Sequence, residues 1–210
     1  MKKVGIFGGT FDPVHLGHLR AAEEFAEGLK LDHVIMVPSA NPPHREESPG
    51  AGPRDRLEMV RLATRANPRL EASDLEIERG GSSYTVDTLL EIRRRQPEWE
   101  LFMALGTDAY NDISKWRRPG EVISLAHLVL LTRPGFAVDF LGPLPEALRT
   151  EYSREGDMYR HSAGATLRSM SVSALDISAG SIRSLVSRGL SIRYLVHSDV
   201  FEYIQRKGIY

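Results

Sequence analysis

The sequence predicts a doubly wound α/β fold on a parallel sheet, and three observations carry that prediction. Short apolar runs alternate with amphipathic segments along the chain. The first forty residues read as a strand–helix–strand unit, the kind that pairs two parallel strands through a right-handed crossover. Gly-containing turns, Gly8-Gly9 and Gly106-Thr107-Asp108, follow two of the apolar runs, at the strand ends where such sheets bind ligands.

Val4 to Phe7 is a buried strand. Gly17 to Lys30 places Leu19, Ala22, Ala26 and Leu29 at helical spacing with glutamates between them. His33 to Val37 is the second strand. Ser39 to Pro53, rich in Pro, Gly and charge, is a long loop of the kind that often carries function. Arg54 to Ala66 is a helix, stopped at Asn67-Pro68. Leu70 to Ile77 reads as a strand, and Thr85 to Arg95 as a helix whose three closing arginines suit the C-terminal dipole. Leu101 to Leu105 is a buried strand, Pro119 to Leu125 a short helix, and His127 to Leu131 a further strand. Periodicity fades from Pro134 to Gly164, so 136–164 is expected to be a variable excursion. Thr166 to Val172 is the last strand, and Ser181 to Ser187 and Val200 to Lys207 are helices. The expected organisation is one domain over 1–210, with 175–210 forming a small C-terminal helical part.

Lys and Arg total 27 against 28 Asp and Glu, a balance that argues against general nucleic-acid binding. The absence of cysteine excludes disulfides, thiolate metal sites and a cysteine nucleophile, and is compatible with the cytosol. The N-terminal segment has the pattern of a strand and turn rather than a signal peptide, and the apolar run Leu125 to Leu131 is far too short to span a membrane. A cytoplasmic protein is expected.

Residues 5–18, GIFGGTFDPVHLGH, carry the chemistry. A strand leads through a glycine pair to two histidines at a helix start. Tight-turn amides and a helix N-terminus suit a phosphate group, and His15 and His18 add side-chain donors. The glycine spacing is not the dinucleotide fingerprint, and no Gly-Lys-Ser/Thr follows to make a P-loop. The same histidines are also compatible with a cap, a core position or half of a metal site, with Asp12 the local candidate for a third ligand.

Gly8-Gly9-Thr10-Phe11-Asp12-Pro13 followed by His15-Leu16-Gly17-His18 resembles the signature of the nucleotidyltransferase superfamily marked by His/Thr-x-Gly-His. Ile177-Ser178-Ala179-Gly180-Ser181-Ile182-Arg183 is similar to its second element, with Gly180 where a hydroxyl residue is usual. Asn41-Pro42-Pro43-His44-Arg45, Ser83-Tyr84-Thr85-Val86-Asp87-Thr88-Leu89, Trp116 and Arg133-Pro134-Gly135 resemble segments of the bacterial nicotinate mononucleotide adenylyltransferases in particular. The resemblance covers nearly the whole chain except 136–174. It implies a Rossmann-like nucleotidyltransferase sheet and adenylyl transfer from ATP to nicotinate mononucleotide, without a covalent intermediate.

The roles that follow are expectations. His15, His18 and Arg183 are the catalytic set, stabilising charge on the transferring phosphates. Gly8, Gly9, Thr10, Phe11, Gly106, Asp108, Ser178 and Ser181 are assigned to ATP. Asn41, His44, Arg45, Tyr84, Thr85, Trp116 and Arg133 are assigned to the mononucleotide, with Trp116 stacked on its pyridine and Thr85 offering its hydroxyl and N–H to its carboxylate. Mg²⁺ is expected to ride on the ATP phosphates, with no metal site of the chain's own. The alternatives are a phosphopantetheine adenylyltransferase or a cytidylyltransferase-like enzyme, which the Ser83–Leu89 segment disfavours, and a nucleotide sensor without turnover. Neither a nucleic-acid nor a membrane partner is expected.

Overall fold

The computed structural model describes residues 1–42 and 49–210. Strands β1 (Lys3–Gly9) and β2 (His33–Pro38) flank helix α1 (Leu16–Leu29). Helix α2 (Pro53–Thr64) leads to β3 (Leu70–Ala72), and then come α3 (Leu75–Arg79) and α4 (Thr85–Arg95). Next are β4 (Glu100–Gly106), α5 (Thr107–Asn111), α6 (Pro119–Leu125) and β5 (His127–Thr132). The chain continues through α7 (Glu146–Arg149), β6 (Tyr152–Glu155), β7 (Met158–His161), β8 (Thr166–Ser171), α8 (Ala179–Ser187) and α9 (Ser198–Lys207).

The strands form one sheet in the order β3-β2-β1-β4-β5-β8-β7-β6. The pairs from β3 through β8 are parallel, with Ile6 opposite Ile35 on one side and Met103 on the other. Successive residues of a strand face opposite sides. Ile35, Val37, Leu101, Met103, Leu128 and Leu130 therefore enter the core under α4 and α6, while Val34, Met36, Phe102, Ala104 and Val129 enter the core under α1, α2, α8 and α9. Strands buried on both faces read as continuous apolar runs, which is why they were legible. The strand order runs outward from β1 to β3 and then resumes at β4 on the other side of β1, so the parallel strands β1 and β4 frame with their carboxyl ends the crevice where doubly wound sheets bind ligands.

Two expectations are corrected. Residues 75–77 belong to α3, not to a strand, because the chain leaves the sheet at Ala72 and buries Leu75 and Glu76 from a helical turn. The 136–164 excursion contains a regular hairpin, β6 and β7, which adds an antiparallel edge to the parallel sheet. β6 is mostly exposed and β7 only half-buried, with one fully buried residue, so neither shows the apolar alternation by which strands are read. The available signal was Gly156-Asp157, where Gly156 has φ +62° in a two-residue turn.

Arg56, on α2, is fully buried. It donates to the carbonyls of Thr10 (2.6 Å), Ala40 (3.1 Å) and Ala51 (3.2 Å), tying the turn after β1 to the loop after β2. On an amphipathic helix an arginine reads as a surface residue, and sequence reasoning passed over it. Replacing Arg56 by Leu leaves three carbonyls without this donor, at about 1 kcal/mol or more each. The expected loss is at least about 3 kcal/mol in urea denaturation; a variant as stable as wild type would contradict this role.

Candidate active site

The carboxyl end of β1 separates two cavities. One, about 610 Å³, is lined by Phe7, His15, His18, Gly106, Asp108 and Arg133, among others. The other, about 440 Å³, is lined by Gly8, Gly9, Thr10, Tyr84, Thr85 and Trp116, with Ser83, Lys115 and Arg117.

On the first side, His15 is the N-cap of α1, and its Nδ1 accepts from the His18 amide at 3.4 Å. His18 Nδ1 in turn accepts from the His15 amide at 3.3 Å, closing a capping box made of imidazoles. The rings stack at 3.6 Å between centroids, and Phe11 meets His18 edge-on at 5.1 Å. A Cβ on Gly17 would lie 3.0 Å from His15 Nδ1, so the glycine leaves room for that ring to fold back over the helix start. Because an amide only donates, each Nδ1 must be unprotonated, and in the neutral ring Nε2 carries the hydrogen. Burial pushes the His15 pKa down to about 4. Burial, and then the neighbouring His15, push His18 down to about 3. Both rings are therefore neutral near pH 7, each with one N–H to give away from the helix.

Phe11 is buried in the core and has φ +50°, so it both packs and turns the chain. Gly9 lies against it, since a Cβ there would come within 3.0 Å of its ring, whereas a Cβ on Gly8 or Gly106 would meet nothing within 4 Å. Asp12 is 1% exposed and its carboxylate accepts from Gly50 N, Ala51 N and the Tyr210 hydroxyl. Those bonds make it a structural hub rather than a metal ligand. Arg183 Nη1 donates to the Asp12 carbonyl at 2.8 Å, which joins the two sequence motifs. Ser178 caps α8, and its hydroxyl and that of Ser181 bond each other and the cap backbone. What this helix offers an anion is thus its first-turn amides and Arg183, and the Ser181 hydroxyl is committed to the cap.

Several placements differ from expectation. Gly8, Gly9 and Thr10 line the Trp116 side, not the histidine side. Arg133 lines the histidine side, not the Trp116 side. The α5 helix starts at Thr107 with Gly106 as its N-cap, so Asp108 is exposed in the first turn, on the histidine side. Thr85 is the first residue of α4, whose N-cap is Tyr84, and Trp116 is half-buried at the cavity wall. Asn41 O accepts from the Ser83 amide at 2.9 Å, its amide donates to the Ser83 hydroxyl at 3.1 Å, and it lines a neighbouring cavity with Ala40 and Gly52. His44 and Arg45 lie outside the described residues.

Three residues were missed. Lys115 and Arg117 bring cations to the Trp116 side, a signal present in the run Lys115-Trp116-Arg117-Arg118. Phe136, 59% exposed, stands on the histidine side, at the end of a turn in which its amide donates to Arg133 O at 3.1 Å and Gly135 has φ +78°. Pro134 and Gly135 make this a type II turn that holds Arg133 and Phe136 in place. Among the described residues no three His, Asp or Glu side chains converge as a metal site, and no helix is long and apolar enough to cross a membrane.

Switch-point cavities and two capped helix starts suit a nucleotidyltransferase, and residues 6–183 match the family model described as cytidylyltransferase-like, which places the chain in that class. A probable nicotinate-nucleotide adenylyltransferase of Trichlorobacter lovleyi is 41% identical over 210 residues, covering 99% of each chain. Another, of Desulfitobacterium hafniense, is 42% identical over 100% of this chain and 96% of its own. The fold is also that of Plasmodium falciparum nicotinic acid mononucleotide adenylyltransferase complexed with NaAD, at TM-score 0.74 and 16% identity over 99% and 97% of the two chains. The chain belongs to the nicotinate-nucleotide adenylyltransferase family.

The histidine cap makes stability depend on pH. Both folded pKa values lie below the 6.5 of an unfolded histidine, so the unfolded chain binds more protons between them. This contribution is fully present above pH 6.5 and is lost as pH falls toward about 3. Asn caps a helix without titrating. His15→Asn should therefore flatten the fall in stability between pH 7 and pH 4.5 in urea melts, and an unchanged slope would refute the assignment.

Proposed function

We propose that this chain transfers the adenylyl group of ATP to nicotinate mononucleotide, forming the deamido dinucleotide and pyrophosphate, a step of NAD biosynthesis. The observation that carries the reading is the pair of cavities sharing the end of β1, one with phosphate donors and one with an aromatic wall and a helix start. The names of the curated relatives support it, and so does the Plasmodium falciparum nicotinic acid mononucleotide adenylyltransferase complexed with NaAD.

In this reading the ATP triphosphate lies on the histidine side. The mononucleotide lies on the Trp116 side, its pyridine against that ring and its carboxylate at the start of α4. The 5′-phosphate of the mononucleotide is an anion near neutral pH and needs no base. One of its oxygens attacks the α-phosphorus in line, and the bond to pyrophosphate breaks. Neutral His15 and His18 suit this step, because each gives an Nε2–H to the charged phosphate oxygens and neither is asked to take a proton. Arg183 and the amides opening α8 receive the departing pyrophosphate. Gly8 and Gly9 leave backbone, with no side chain, at the wall between the two substrates. The Arg133–Phe136 turn offers a cation and a flat ring to the nucleoside end of ATP. Asp108 is the one carboxylate among the described residues lining that cavity, so it would hold a Mg²⁺ brought by ATP, directly or through water, and the ion would supply charge to offset the phosphates.

His18→Ala should lower turnover by about a hundredfold or more, with the melting point little changed relative to the loss of one cap. A coupled pyrophosphate assay reads this, and near wild-type turnover would sink the role of His18.

Thr85 offers a sharper test of the acid group. At the first position of a helix proline is tolerated, and Tyr84 before it is already extended (φ −105°, ψ 128°). Thr85→Pro removes the N–H and the hydroxyl while keeping the helix. The preference for nicotinate over nicotinamide mononucleotide in kcat/KM should drop by about tenfold or more, the worth of a hydrogen bond to a charge. An unchanged ratio would place the carboxylate elsewhere.

A further inference from the structure

We propose that Tyr210 is a positioning residue for Arg183, acting through Asp12; this rests on the adenylyl-transfer reading, in which Arg183 holds phosphates. Tyr210 lies in neither sequence motif. Its hydroxyl donates to Asp12 Oδ1 at 2.8 Å. The same oxygen accepts from Ala51 N at 3.0 Å, and Oδ2 accepts from Gly50 N at 2.9 Å.

Arg183 meets this group in an unusual way. Its Nη1 hydrogen-bonds the backbone carbonyl of Asp12 at 2.8 Å, and stands 3.5 Å from the carboxylate Oδ2. A buried carboxylate and a guanidinium would ordinarily close into a forked pair. Here three other donors already occupy the two carboxylate oxygens, and the guanidinium settles on the carbonyl. Its Nη2 is left beside the start of α8, 4.0 Å from where a Cβ on Gly180 would be. That is the edge that faces an anion at the helix start.

The ring of Tyr210 is fixed as well as its hydroxyl. A Cβ on Gly50 would come within 3.0 Å of that ring and 3.3 Å of Arg183 Cδ, so Tyr210, Gly50 and the arginine stem pack on one another. Burial, and then the bond to Asp12, push the phenol pKa up, so the hydroxyl remains a donor. Remove the hydroxyl and Oδ1 keeps only the Ala51 amide. The carboxylate is then free to turn onto Arg183 and draw the guanidinium from the phosphates.

The test is Tyr210→Phe, which keeps the ring. ATP and pyrophosphate dissociation constants are measured by calorimetry, independently of the acceptor, and steady-state kinetics gives KM for each substrate. Both dissociation constants should rise by about tenfold, on the scale of one misplaced charged hydrogen bond. KM for nicotinate mononucleotide should stay within about twofold. In an Arg183→Lys background the same change should add little, since the group it positions is gone. Tyr203→Phe is the control: Tyr203 also donates to a carboxylate, Asp55 at 2.8 Å, and its loss should leave ATP binding unchanged.

Wild-type ATP and pyrophosphate constants in Tyr210→Phe would overturn the proposal. So would equal losses for ATP and mononucleotide with a lowered melting point, or full additivity with Arg183→Lys; the cycle still decides if the single variant is less stable. Failure of the functional reading looks different: the wild-type chain would bind ATP and give no turnover with nicotinate mononucleotide.

Discussion

The site depends on one buried carboxylate. Asp12 is 1% exposed and takes hydrogen bonds from the 50–51 loop and from Tyr210, while its carbonyl anchors Arg183. A carboxylate left bare in such a place would cost several kcal/mol, so the donors around it are held as firmly as the carboxylate itself. Through this one residue the turn after β1, the loop before α2, the start of α8 and the end of the described chain share a single geometry. Arg56 does the same from the other side with three carbonyls, one of them on Thr10. The turn between the cavities is therefore clamped from two directions, and preorganisation of this kind is what phosphoryl transfer asks of a protein.

Two helices, α1 and α8, are closed by the same device in different chemistry. Each has a reciprocal capping box, one of histidines and one of serines. The cap fixes which nitrogen of each imidazole is free. Because both Nδ1 atoms accept from the backbone, the protons sit on Nε2, and burial keeps the rings neutral. A helix cap and a tautomer are here a single arrangement, and in the proposed reaction the same arrangement presents the phosphate donors. The readings of His15 and His18 as cap and as phosphate donor, which the bare sequence leaves open, are compatible in this geometry. The metal reading loses its support, because Asp12 is occupied elsewhere.

Much of the fold was legible because parallel strands covered on both faces must be apolar along their middles, and β1, β2, β4 and β5 are. Helices α4 and α6 carried their own start and stop signals, and their boundaries matched the reading. The hairpin of β6 and β7 was not legible, since it packs at an open sheet edge, with β6 mostly exposed and β7 half-buried, and needs no apolar alternation. The short α3 was not either, because five residues hold too little periodicity to separate a turn of helix from a strand.

The sequence by itself determined the short motifs: a glycine turn, two histidines three apart and the 177–183 segment with its arginine are each local patterns, and local patterns survive without coordinates. It also determined the family. Only the tertiary structure decided how the site is divided. It put Arg133 with the histidines and Gly8 to Thr10 with Trp116, made Arg56 and Asp12 its clamps, and brought Tyr210 beside residue 12. The physical reason is that these contacts join residues far apart in the chain through single polar atoms, and a buried donor or acceptor leaves no periodic trace in the sequence to announce which partner satisfies it.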